Sequence, residues 1–190
     1  ADVDKGQGLV REGRLDALAD YLLTFIERLA RAGATAAALP AVTPHICIDH
    51  IVARSPVPMI DIVATIGTEL KARRLRRVAL FGTTFTMDGS LWGQLARHAP
   101  EVEIVKPQPD EIAFVGKAYQ RLLDTQQGDE ADTAGLRRIA ADLQQRDGVE
   151  TILLAGTDLA VIFDEAHAGF PAIDVARLHI DVIVERLLKP

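Results

Sequence analysis

The sequence predicts an α/β fold of two similar lobes, each a mainly parallel sheet flanked by helices. Three observations predict it. Short apolar runs alternate with amphipathic stretches throughout the 190 residues, the order that builds parallel strands joined by helices. Three of those runs end in small residues and threonine just before a helical start. The pattern also falls into two similar halves, with a boundary near Leu75. The length suits one domain or two small lobes, and with 48% hydrophobic and 25% charged residues the composition is that of an ordinary globular chain.

Taken in order, residues 1–13 are polar and Gly-rich and read as a loop. Residues 14–31 read as a helix burying Leu15, Leu18, Leu22, Phe25 and Leu29 at the three-to-four spacing of one face, with Gly33 as its stop. Residues 35–41 read as a strand. A helix follows from Pro44, with Thr43 as N-cap and Ile48, Ile51 and Val52 on its core face. Ser55-Pro56-Val57-Pro58 breaks it. Met59-Ile60 is a short strand, and Asp61 caps a helix to about Arg74. Residues 77–81 are a buried strand, followed by a helix from Thr86 or Asp88 to about His98, with Leu91, Trp92 and Leu95 inward. Residues 102–105 are a strand. Pro109-Asp110-Glu111 opens a helix that uses Ile112, Val115, Tyr119 and Leu122. Residues 124–131 are a polar loop. Asp132 caps the next helix, which buries Leu136, Ile139 and Leu143 and ends at Gly148. A strand at 151–156, a turn at Gly156-Thr157-Asp158 and a helical start at 159–163 follow. Ala172-Ile173 is the last strand. The last helix is expected to bury Ile180, Ile183, Val184 and Leu187.

The three threonine-bearing strand ends are Ala41-Val42-Thr43-Pro44-His45, Gly82-Thr83-Thr84-Phe85-Thr86 and Gly156-Thr157-Asp158. Ligands of open α/β sheets bind outside the carboxyl ends of the strands, and free N–H groups with nearby hydroxyls suit an anion. The convergence predicts a pocket for a small carboxylate. Each loop taken alone also has a plain structural reading, since threonine caps helices in any α/β protein.

A net charge of −6 argues against phosphate-backbone binding, so no nucleic-acid partner is expected. Arg73, Arg74, Arg76 and Arg77 read as a solvated helix end. No apolar run approaches the ~20 residues of a membrane span, no signal-peptide pattern is read, and the lone Cys47 excludes an intramolecular disulfide. A cytoplasmic setting is expected.

These motifs resemble the aspartate/glutamate racemase superfamily, most closely its aspartate-racemase-like branch. Gly82-Thr83-Thr84-Phe85-Thr86-Met87 matches the family's Gly-Thr-x-Phe-Thr-Met loop. Ala41-Val42-Thr43-Pro44-His45 stands where the family has Cys-Asn-Thr-x-His, and Ala155-Gly156-Thr157-Asp158-Leu159 where it has Gly-Cys-Thr-Glu-Leu. Pro171-Ala172-Ile173-Asp174, with Arg177 and His179, resembles the family's ending. The resemblance implies two lobes with the site in the cleft between them. Residues 1–74 with 175–190 would form the first lobe and 75–174 the second. It also implies cofactor-independent racemisation of an acidic amino acid and a homodimer.

Two departures from the pattern stand out. Ala41 and Gly156 occupy both cysteine positions, where one thiolate would take the α-proton and the other thiol would return one, and Val42 replaces the family's Asn. The family also begins with a strand, a Gly-rich loop and a helix before the equivalent of Ala1, on the order of 30 residues, so the first lobe is expected to lack a strand–helix–strand. Thr43, Thr83, Thr84, Thr86 and Thr157 are the expected carboxylate-binding residues. Asp158 is the substitute base, against a plain structural hydrogen bond. His45 and His179 stand behind the site or in the core, and Cys47 reads as a buried structural thiol. His50, His98 and His167 show no ligand spacing, so no metal or other cofactor is expected. The resulting expectation is a protein that acts on or binds an acidic amino acid or similar small dicarboxylate, weak or inactive as a two-thiol racemase. The alternative is a non-catalytic small-carboxylate binding protein.

Overall fold

Leu18, Leu22 and Ile26, one helical turn apart, form with Ala19 and Leu23 the buried stripe of α2 (Leu15–Arg31). The computed structural model that places them describes residues 2–89 and 91–188. The parts of the expected spans that fall on Ala1, Ser90, Lys189 and Pro190 lie outside the described residues. Packing divides the chain into two units, Ala1–Ile62 and Val63–Pro190. The break falls between Ile62 and Val63, ahead of the change of pattern at Leu75.

In the first unit, α1 (Val3–Arg11) replaces the expected loop. Asp2 caps it, accepting from Lys5 N at 3.1 Å, and Leu9 and Val10 are buried. An added Cβ at Gly6 or Gly8 would meet nothing within 4 Å, so the glycines lower helix propensity without forbidding the helix. The face of α2 is rotated from the expected one: Leu15 and Phe25 are half-buried and Leu29 is exposed. The expected strand at 35–41 shrinks to β1 (Ala37–Ala38), paired in parallel with β2 (Met59–Ile60). Between them a 3-10 turn (Thr43–Cys47) leads into α3 (Ile48–Val52), which buries Ile48 and Ile51 and exposes Val52.

The second unit begins one residue into α4 (Ile62–Ala72). Its elements are β3 (Arg77–Phe81), α5 (Thr84–Met87), α6 (Trp92–His98), β4 (Glu103–Ile104), α7 (Pro109–Thr125), α8 (Glu130–Asp147), β5 (Thr151–Leu154), a 3-10 turn (Thr157–Val161), β6 (Ala172–Asp174) and α9 (Val175–Leu188). The strands form one all-parallel sheet in the order β4-β3-β5-β6, with Phe81 opposite Leu154 and Leu154 opposite Asp174. Every residue of β5, and all but the first of β3, is buried, as expected of parallel strands covered on both faces. Ala79, Phe81, Ile152 and Leu154 share a core with Val115, Tyr119 and Leu122 of α7 and Leu136, Ile139 and Leu143 of α8.

Two expected helix starts shift, and one helix buries a different face. The helix of residues 86–98 is two short helices, α5 and α6, and Thr83 rather than Thr86 or Asp88 caps the first. Asp129 rather than Asp132 caps α8; Asp132 is instead ion-paired with Arg121, whose Nε donates to it at 2.8 Å. α9 packs on β5, β6 and the second 3-10 turn through buried Val175 and His179, leaving the expected core residues Ile180, Val184 and Leu187 exposed and Ile183 half-buried.

Candidate functional site

The chain leaves β3 for β4 on one side and returns to β5 on the other. The carboxyl ends of β3 and β5 therefore lie side by side at a point where the winding reverses, the place where open α/β sheets take their ligands. Both loops named from sequence in this unit start there. The Phe81 carbonyl accepts from Ala155 N at 2.8 Å and from Gly156 N at 2.9 Å, which joins the loops backbone to backbone. Gly82 permits that approach: a Cβ on it would lie 2.9 Å from Gly156 N and 3.2 Å from the Ala155 carbonyl carbon.

Threonine chemistry fills the first loop. Thr83 Oγ1 accepts from Thr86 N at 3.1 Å and pairs with Thr86 Oγ1 at 2.9 Å, so Thr83 caps α5 and Thr86 is buried beneath it. Thr84 is exposed, with its hydroxyl against the Gly116 side of α7. In the second loop Thr157 and Asp158 are half-buried. Tyr119 of α7 donates its phenol hydrogen to Asp158 Oδ2 at 3.1 Å. Burial first, then the Asp158 carboxylate, pushes the phenol far above its ordinary range, so it stays a neutral donor. Sequence reading placed Tyr119 only in the core. The available signal was a phenol on an apolar stripe, because a buried tyrosine hydroxyl needs a polar partner.

His179 is buried on α9. Asp174 caps that helix, accepting from Arg177 N at 3.0 Å. Its own N–H donates to Glu165, which also pairs with Arg73 at 3.2 Å. The resembling ending thus holds the start of α9.

The remaining named residues belong to the first unit. Thr43 is not the expected cap: Val42 sits at the cap position without a side-chain bond, and Thr43 starts the 3-10 turn. Buried His45 donates from Nδ1 to the Ala41 carbonyl at 2.9 Å and accepts at Nε2 from Ile62 N at 3.4 Å. Asp61 Oδ1 also lies 3.7 Å from Nε2. His45 therefore pins the Ala41 backbone to the start of α4. Cys47 is buried, donates to the Pro44 carbonyl at 3.3 Å, and has its thiol pushed up to about 11 by burial. A thiol so protonated is no nucleophile near neutrality. Among the described residues no cluster of His, Cys, Asp or Glu is placed to hold a metal ion, and no helix is long and apolar enough to cross a membrane.

The family model for Asp/Glu/hydantoin racemases matches residues 1–183. The chain belongs to the Asp/Glu/hydantoin racemase family. Its fold is similar to that of a candidate Asp/Glu racemase from Yersinia pestis, with a TM-score of 0.86 at 22% identity over 100% of this chain and 82% of the other. An aspartate racemase homologue from Pyrococcus horikoshii has a TM-score of 0.77 at 25% identity, over 89% of this chain and 74% of that one. Glutamate racemase from Francisella tularensis, solved with D-glutamate, has a TM-score of 0.67 at 13% identity, over 92% and 65%.

The loops at the ends of β3 and β5 carry the hydroxyls of Thr83, Thr84 and Thr157 and the half-buried carboxylate of Asp158. Those groups can bind and orient a small polar ligand. At position 156 there is only backbone, and the ring of Tyr119 lies against it.

Proposed function

We propose that the protein acts on or binds an acidic amino acid, or a similar small dicarboxylate, at the loops that end β3 and β5, and that it is weak or inactive as a two-thiol racemase. The observation that carries this reading is the side-by-side placement of the Gly82-Thr83-Thr84 and Gly156-Thr157-Asp158 loops at the reversal of the sheet, in a chain of this family. Two-base racemisation needs a proton acceptor on one face of the α-carbon and a donor on the other. The methyl of Ala41 and the hydrogen of Gly156 supply neither. Thr83, Thr84, Thr86 and Thr157 are the proposed carboxylate-binding set at these loops, and Thr43 is the candidate that the first unit carries. Thr83 and Thr86 contribute from a loop fixed by their mutual hydrogen bond, and Asp158 is the one ionisable candidate for α-carbon chemistry at this position.

The second reading is a non-catalytic small-carboxylate binding protein. The packing of Tyr119 against Gly156 favours it, because that space holds a neutral phenol rather than a base. Calorimetry with L- and D-aspartate and L- and D-glutamate tests the shared core of both readings. Saturable binding of at least one of the four is expected; no binding of any would remove the acidic-ligand assignment and leave the fold and family standing.

A further inference from the structure

Tyr119 lies on the apolar stripe of α7, with Ile112, Val115 and Leu122, yet its hydroxyl is spent on the loop after β5. The ring is packed against the backbone of position 156, in the space that a Cβ there would need, 2.6 Å from Cζ. The phenol is therefore a fixed donor. It holds Oδ2 of Asp158, while Oδ1 receives no hydrogen bond from the described residues. Without this contact the side chain, at the start of a short 3-10 turn and half-buried, would be free to rotate. A carboxylate fixed beside threonine hydroxyls attracts a cation and repels an anion. A ligand bearing both an ammonium and a carboxylate satisfies such a pair of neighbours; a plain dicarboxylate does not.

We infer that Tyr119 is a positioning residue that fixes Asp158 as the acceptor for a ligand's ammonium group, so that the site selects amino acids over dicarboxylates lacking an amine. The inference rests on the acidic-ligand reading above and adds to it the discriminating contact. It is tested by titrating aspartate and succinate, by calorimetry, into the unsubstituted protein, Tyr119→Phe and Asp158→Asn. The unsubstituted protein is expected to prefer aspartate. Tyr119→Phe is expected to shrink the aspartate-to-succinate ratio by about tenfold, the worth of one hydrogen bond to a charged group, and Asp158→Asn to abolish it. Should Tyr119→Phe fail to fold, Asp158→Glu keeps the charge but carries it one methylene away from the position the phenol holds, and is expected to shrink the same ratio. A ratio unchanged in these variants, or absent from the unsubstituted protein while both ligands bind, overturns the inference alone. Binding of neither ligand overturns the acidic-ligand reading and this inference with it.

Discussion

A Cβ built on Gly156 would stand 2.6 Å from Cζ of Tyr119. The backbone there is ordinary, with φ −89° and ψ 109°, so the constraint is one of space and not of conformation. Gly156→Ala is therefore expected to destabilise. Overpacking costs about 1–3 kcal/mol, and the smaller entropy of the unfolded alanine chain returns only about 0.4–1 kcal/mol. At mid-range the balance is about 1.3 kcal/mol, which should lower Tm by roughly 3–5 °C in a protein of this size. A calorimetric scan showing an unchanged or raised Tm would contradict it. The same crowding means that Gly156→Cys can place a thiol there only if the Tyr119 ring moves.

Gly82 faces backbone instead of a ring. Its nearest would-be neighbours, Gly156 N and the Ala155 carbonyl carbon, are tied by the bonds from Ala155 N and Gly156 N to Phe81 O. Neither can retreat without breaking the link between β3 and β5. Gly82→Ala should cost more than Gly156→Ala, about 2 kcal/mol or more, and should weaken ligand binding as well. A smaller Tm loss for Gly82→Ala than for Gly156→Ala would refute this ordering.

Glu150 sets an acid-side dependence of stability. Its carboxylate accepts from Arg76 N at 2.5 Å and Arg77 N at 2.8 Å, at the entry to β3. These bonds hold its pKa below the usual glutamate range. A group depressed on folding contributes stability that is fully present above its unfolded pKa and is lost as pH falls through its folded one. Tm is thus expected to drop as pH falls below about 4.5, with a shallower drop in Glu150→Gln. Equal slopes in the two proteins would show that the contact carries no linkage.

Cys47 is expected to be inert in the folded protein. Its thiol is buried, bonded to the Pro44 carbonyl and protonated at pH 8, so a disulfide reagent should react slowly without denaturant and fully with it. Cys47→Ala should leave any α-proton exchange unchanged. Fast native labelling, or exchange lost in the variant, would reassign this thiol to the site.

The legible part of the fold lies where several local signals agree. Pro109 and Glu111 mark the start of α7, and the structure adds the reciprocal capping of Gln108 and Glu111; its four expected core residues are all buried. β3 and β5 read correctly because each is apolar after its first residue. Periodicity failed on α9, where the regular spacing of Ile180, Val184 and Leu187 is real but the buried side is the one carrying Val175 and His179. It also missed α1, because Gly6 and Gly8 mask a helix that Asp2 caps and tertiary burial of Leu9 and Val10 supports. At the candidate site, the threonines and Asp158 were legible as types at strand ends. That Thr83 is the cap is a local matter, a bond from Thr86 N three residues on, in a stretch where several threonines could serve. That Tyr119 reaches Asp158 from a helix far off in sequence is a fact of tertiary contact, which no window of sequence contains.

The central claim, an acidic-ligand protein of this racemase family without the two-thiol chemistry, is tested most directly by α-proton exchange. The purified protein is incubated in D2O with L- and D-aspartate and L- and D-glutamate, and the α-proton signal is followed by NMR beside a protein-free control. The account predicts a ligand that binds while its α-proton exchanges at or near the control rate, with no conversion between enantiomers. Exchange and interconversion at enzymatic rates would contradict it, and Asp158→Asn would then be the first variant to make.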